Sequence, residues 1–235
     1  MYGNERIEFT RSLRSGDVNR VLIKVHPDCK VVANAPINAS NQDVIDAVKQ
    51  RARWIHGKLE KFREQIAHVT PRRYVSGESH YYLGRQYVLK IENTSIKEKQ
   101  YVKLLRGKLE IHTSSKRKVK ELLLNWYKLR ARDIFNRRLD ELLPQTLWVK
   151  ERPAIRIQTM KTQWGSCSPG GRLTLNPYLV RAPRECIDYV ILHELCHIAE
   201  HNHSDKFYRL MKRVMPKWES VKERLDDKAN IYIGN

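Results

Sequence analysis

No run of some eighteen apolar residues occurs in this 235-residue chain, which excludes a membrane-spanning helix. The opening Met1-Tyr2-Gly3-Asn4-Glu5-Arg6 lacks the apolar stretch of a secretory signal, so the expected location is cytoplasmic. Cysteine is sparse and unpatterned: Cys29, Cys167, Cys186 and Cys196 are scattered and none forms a C-x-x-C pair. That excludes a disulfide framework and a zinc ribbon, and reduced thiols follow. No internal repeat, low-complexity tract, helix-turn-helix, zinc finger or aromatic RNA-binding signature is present. Acidic residues are also short in supply, 26 against 45 Lys and Arg, leaving a formal charge of +19. Such an excess attracts polyanions, nucleic acid or an acidic protein, although solubility alone accounts for the same composition.

What is present is enough to build a core, at 41% apolar residues, in one large domain or two small ones. Ile7-Glu8-Phe9, Val21 to Val25 and Val31-Val32-Ala33 read as strands of a small antiparallel meander, with turns at Ser15-Gly16-Asp17 and Pro27-Asp28. From Asn41, a plausible cap, Val44, Ile45, Val48, Ala52, Ile55 and Leu59 recur at helical spacing, and Trp54 adds bulk to that face. A second strand group follows: Ser79 to Leu83, a Gly84-Arg85 corner, Tyr87 to Ile91, then a hairpin turning at Arg106-Gly107. A long basic helix spans about 114 to 142, with Lys116, Arg117, Lys118, Lys120, Lys128, Arg130, Arg132, Arg137 and Arg138 on its surface. It is either an electrostatic contact surface or a solvated face. Strands at 155 to 159 and 172 to 176 flank a turn at Pro169-Gly170-Gly171. Helices follow from Pro183, around Phe207 to Val214, and from Trp218. The expected fold is α+β: a β-rich region with an inserted helix at 1 to 112, then a mainly helical zincin-like metal-binding domain with a short antiparallel sheet at 113 to 235.

The chemistry is concentrated in His193-Glu194-Leu195-Cys196-His197, followed after five further residues by His203. Residues four apart stand about 40° apart on one helix face, so His193 and His197 can address a single ion. Glu194, about 100° round, can reach a metal-bound water without becoming a ligand. Three protein ligands plus water is the catalytic zinc pattern, and the water's pKa falls toward ~7. His201 or Glu200 would supply the third ligand if the helix continued. Asn202 tolerates a left-handed helix end and Ser204 or Asp205 can cap the next helix, which favours His203 in the reversal, with His201 as fallback. Ile187, Ile191, Leu195 and Ile198 form the packing stripe opposite. A structural metal site has no need of a base at Glu194.

These features, together with Lys161 to Ser168, Leu175-Asn176, Ala182-Pro183, Ile187 to Val190, Asn202-His203-Ser204, Phe207 and Pro216, resemble the YgjP-like metallopeptidase family, related in motif to the SprT and WLM domains. Ala35-Pro36, Trp54-Ile55 and Tyr82-Leu83-Gly84-Arg85 extend the likeness over most of the chain. The resemblance implies zinc on His193, His197 and His203, with Glu194 as base. The cysteine ribbon usual in SprT proteins is missing, which weakens transfer of their DNA-linked role. Cys167 and Cys196 are read as small core residues or as groups near the metal, Trp164 and Ser166 as turn elements or cleft walls. Tyr189 and Tyr208 are candidate oxyanion donors that spacing does not separate.

Three functions are compatible with this reading. The first is a zinc-dependent peptidase, with an extended polypeptide pairing along the 172 to 176 strand. The second directs the same water at a nucleoside triphosphate, whose charge the basic chain would suit. The third is a nucleic-acid-binding module with a structural metal.

Overall fold

The computed structural model describes residues 6 to 14, 20 to 26, 28 to 67, 71 to 160 and 163 to 233, and its contacts divide the chain into two units at Thr70 and Pro71. In the first unit, β1 (Thr10–Arg14) and β2 (Leu22–Val25) flank β3 (Val31–Pro36). β3 is central because Val31, Ala33 and Ala35 alternate inward and are buried, whereas the flanking strands leave Leu13 and Leu22 exposed. The expected antiparallel meander is thereby corrected: β2 runs antiparallel to β3, but β1 lies parallel to it, with Thr10 opposite Val32, and Ile7 to Phe9 precede the strand. The turn expected at Ser15-Gly16-Asp17 and Pro27 of the next one lie outside the described residues.

The single helix expected from Asn41 is two, α1 (Asn41–Gln50) and α2 (Ala52–Ala67), and Ser40 rather than Asn41 is the cap. Ser40 Oγ accepts from Asp43 N and the Asp43 carboxylate accepts from Ser40 N, a reciprocal box that satisfies two otherwise orphaned donors. Val44, Val48, Ile55 and Leu59 enter the core of this unit, while Ile45 and Trp54 are exposed.

The second unit opens with β4 (Ser79–Tyr82), β5 (Arg85–Asn93), β6 (Tyr101–Leu105) and β7 (Lys108–Thr113), ordered β4-β5-β7-β6 with β5 and β7 parallel. Leu89, Leu109 and Ile111 share one core with Val119, Leu123 and Phe135 of α3 (Val119–Leu142). A boundary at residue 112 would cut through that core; composition placed it there because strand-rich sequence ends at that point. Lys116 to Lys118, expected inside the long helix, form a separate 3-10 turn, and Leu129 faces outward. Three short strands, β8 (Ile155–Ile157), β9 (Gly165–Cys167) and β10 (Leu173–Leu175), precede α4 (Arg184–Ala199), α5 (Asp205–Val214), α6 (Trp218–Asp227) and α7 (Ala229–Ile233). This is the expected α+β class, although the short sheet is mixed: β9 is antiparallel to β10 and β8 parallel to it. Among the described residues no helix is long and apolar enough to cross a membrane.

The segment that leads into α4 is held by the first sheet of this unit and by the buried Arg181. The β4–β5 turn places Leu83 and Gly84 at φ of +49° and +77°, and their N–H groups donate to Val180 O and Arg181 O at 2.8 and 3.0 Å. A Cβ on Gly84 would stand 2.8 Å from Pro183 Cγ, so both the left-handed φ and the close approach require glycine. The fully buried Arg181 lies over the rings of Tyr178 and Tyr127, 4.3 and 4.7 Å from their centroids, and donates to Tyr232 O at 2.7 Å.

His80 is fully buried beside Arg72, whose guanidinium lies 3.1 Å from its Nδ1. Burial, then the charges of Arg72 and Arg181, push its pKa down to about 3. As pH falls below the unfolded value of about 6.5, the unfolded chain takes up a proton that the folded one refuses, so stability falls by about 1.4 kcal/mol per pH unit. His80→Asn, which keeps an acceptor facing Arg72, is expected to flatten the loss between pH 6.5 and about 4.5, above most carboxylate titration. Urea unfolding of both proteins across that window measures it, and parallel slopes would refute the assignment.

Candidate metal centre

Pro183 stands at the cap position, one residue before α4 rather than within its first turn. Ile187, Ile191 and Leu195 are fully buried on one face of this helix. Arg138 clamps Asp188 with two bonds of 2.6 and 2.8 Å, fixing α4 against α3. Trp148 Nε1 donates to Leu195 O at 2.8 Å, between the two histidines of the motif. The helix ends at Ala199 and Glu200 turns to extended backbone (φ −134°). Ser204 Oγ then caps α5 by accepting from Phe207 N at 3.3 Å. The reversal anticipated from Asn202 and Ser204 is present, and His203 lies in it.

His193, His197 and His203 each offer a ring nitrogen, and these atoms lie within 4.8 Å of one another. His203 Nε2 and His193 Nε2 are 3.0 Å apart. A tetrahedral zinc with Zn–N bonds of ~2.1 Å needs nitrogens about 3.4 Å apart, a spacing the His193–His203 pair meets within a few tenths of an ångström and the 4.8 Å limit of the whole set brackets. His197 Nδ1 is 3.0 Å from Glu200 O; a proton on Nδ1 satisfies that carbonyl and leaves Nε2 as the donor to an ion. Burial, then the neighbouring imidazoles, pushes His193 down to about 3, which keeps it neutral, the form that ligates. Phe207, fully buried, supports all three rings, with centroids 4.9, 4.6 and 4.8 Å away.

Glu194 is 5% exposed and packs against the backbone of β9: a Cβ on Gly165 would stand 2.7 Å from Glu194 Oε1. Burial pushes its carboxyl up to about 8. A dication held by the imidazoles would draw that value back toward neutrality, where a general base is most useful. Histidines and carboxylate open onto a cleft of about 750 Å³, also lined by Trp164, Ser166, Tyr189 and Trp218.

The expected ligand atoms of His193, His197 and His203 therefore converge beside Glu194. His201 lines the cleft outside the cluster, and the Glu200 carboxylate instead faces Ser204 Oγ at 3.5 Å. Cys196 is core, whereas Cys167 lines the cleft with its thiol held up to about 11 by burial and by Glu194. Tyr189 and Tyr208 both line the cleft. Lys161 and Thr162 lie outside the described residues. The expectation that 172 to 176 offers a pairing edge is overturned: β10 is the middle strand, flanked by β8 and β9, and β9 is the outer strand at the cleft. Sequence reasoning gave no role to Gly165, Phe207, Trp148 or Asn176. Asn176 Nδ2 donates to Met160 O and Gln163 O at 2.8 and 3.0 Å and so shapes the approach to β9. A glycine inside a strand pattern, and an aromatic four residues after His203, were the available signals for Gly165 and Phe207.

No curated protein matches this chain. Among solved structures, the metallopeptidase zymogen of Methanocaldococcus jannaschii jannalysin is similar, at 30% identity and TM-score 0.35, over 42% of this chain and 96% of that one. The metallopeptidase zymogen of Pyrococcus abyssi abylysin is similar at 25% identity and TM-score 0.33, over 40% and 90% of the respective chains. The model of the YgjP-like, metallopeptidase domain family matches residues 19 to 228, and the chain belongs to that family.

Proposed function

We propose that this chain is a zinc-dependent peptidase, with His193, His197 and His203 as ligands and Glu194 as general base. The observation that carries the reading is the meeting of three imidazole donors within 4.8 Å beside a carboxylate held against Gly165. Zinc in such a set supplies Lewis acidity, polarising a carbonyl and acidifying bound water toward ~7. The chain's own residues do the rest. The Glu200 carbonyl fixes the His197 tautomer and Phe207 holds the rings in register. Glu194, in a site too dry to solvate a carboxylate well, accepts the proton of the attacking water and returns it to the leaving amine. β9 presents backbone beside the base, where an extended polypeptide can add as a further strand.

The cleft lining favours a polypeptide over a nucleoside triphosphate. Among the described residues its one Lys or Arg, Lys222, is engaged by Asp226 at 2.5 Å, which leaves no cluster of cations for a polyphosphate.

Glu194→Gln is expected to lower turnover of a peptide substrate by roughly 10²–10⁴-fold while retaining one zinc per chain by elemental analysis. Cleavage at the parental rate would remove Glu194 from the mechanism. Gly165→Ala is expected to displace the same carboxylate without touching the ligands. Zinc content should hold while kcat falls roughly 100-fold, the scale of a misplacement of about 1 Å. Loss of zinc in that variant would instead mean that β9 supports the ligands.

A further inference from the structure

The residue types the metal chemistry requires end at His203, but the rings do not. Tyr208 lies against His203, 6.2 Å between centroids and 25° between planes. Trp218 lies against Tyr208 at 5.4 Å and 18°, and Tyr189 against Trp218 at 6.5 Å and 8°. Four rings from α4, the reversal, α5 and α6 thus make one near-parallel wall running from the ligand set along the cleft. Leu225 and Val190 line the same cleft. Charge here is self-cancelling: Lys222 and Asp226, one helical turn apart on α6, pair with each other.

A core built for packing alone buries such rings. Here Tyr208 is 41% exposed and Trp218 partly so, both facing the cleft. A flat aromatic surface prefers another ring, offset-stacked or edge-on, and a large apolar side chain next. A charged side chain would leave water with its natural partners already taken by each other.

We propose that this wall is the specificity subsite of the proposed peptidase, selecting polypeptides with an aromatic or bulky apolar residue next to the scissile bond, with Trp218 as its determining residue. The inference rests on the peptidase reading, and its test separates the two. The zinc-loaded full-length chain is given quenched-fluorescence peptides identical except for Phe, Trp, Leu, Ala or Asp at one position. Mass spectrometry locates the cut, and kcat/KM is measured for each.

The expected order is Phe and Trp, then Leu, then Ala and Asp, with Phe over Ala by at least roughly 10-fold, the low end of what a single methylene is worth in an apolar pocket. Trp218→Ala should shrink the Phe-to-Ala ratio at least fivefold through KM, and Trp218→Phe should restore most of it, at full zinc content in both. Cleavage of all five at similar rates, or an unchanged ratio in Trp218→Ala, would overturn the subsite while sparing the peptidase. If the zinc-loaded protein cuts none of these peptides and no unstructured protein such as casein, the peptidase reading fails and the subsite with it.

Discussion

The burial of the Glu194 carboxylate against β9 is the constraint on which the rest of the centre depends. A carboxylate removed from water without a cationic partner destabilises the fold by several kcal/mol if ionised, and it responds by holding its proton. No packing need explains a glutamate there, since Leu195 and Ile191 already fill the buried face of α4. The arrangement persists because its surroundings leave it nowhere to go. Asp188 clamps the helix to α3 through Arg138, and Trp148 holds the Leu195 carbonyl. Gly165 has no side chain to push the carboxylate away. A costly group held this firmly is the usual mark of chemistry rather than architecture.

The third imidazole is secured by a different device. His193 and His197 are placed by helix geometry, but His203 follows the end of α4, where the chain has more freedom. Its position is set by the Ser204 cap, which starts α5 immediately afterwards, and by Phe207, four residues on and fully buried. Truncating a buried phenylalanine costs about 3–5 kcal/mol. One ring therefore contributes to the stability of the unit and to the spacing of three donor atoms, and folding and site assembly are coupled through it. The Glu200 carbonyl belongs to the same turn, so the end of α4 determines both the His197 tautomer and the position of His203.

Local pattern carried much of this into the sequence. The four-residue spacing of His193 and His197 and the helix-breaking Asn202 with Ser204 depend on neighbours a few residues away, and both were legible. So was the α5 helix, whereas the hairpin expected from strands at 155 to 159 and 172 to 176 was not as read: β10 is antiparallel to β9, which the sequence did not announce, and parallel to β8. Contacts across long separations were not legible. Nothing in Thr10 to Arg14 announces a parallel partner at Val32, because strand pairing is decided by which strand buries both neighbours. The role of Gly165 depends on a side chain 29 positions later, and β10 was taken for an edge because sheet order is not written in any one strand. Trp54 and Ile45 shared a helical stripe with core residues yet face solvent, since periodicity gives a direction but not the width of the buried face.

Charge and chemistry separate in this chain. The excess of +19 invited a reading in which cations hold the substrate, yet the cleft is lined chiefly by rings, aliphatic groups and one self-satisfied ion pair. The basic residues of α3 lie on its exposed side, while the side that meets α4 is apolar apart from the Arg138–Asp188 clamp. Charges on an outer surface act over about one Debye length and govern encounter and solubility. In the proposed peptidase, selection at the reacting bond is then left to shape and apolar contact, the terms the lining of this cleft supplies in quantity.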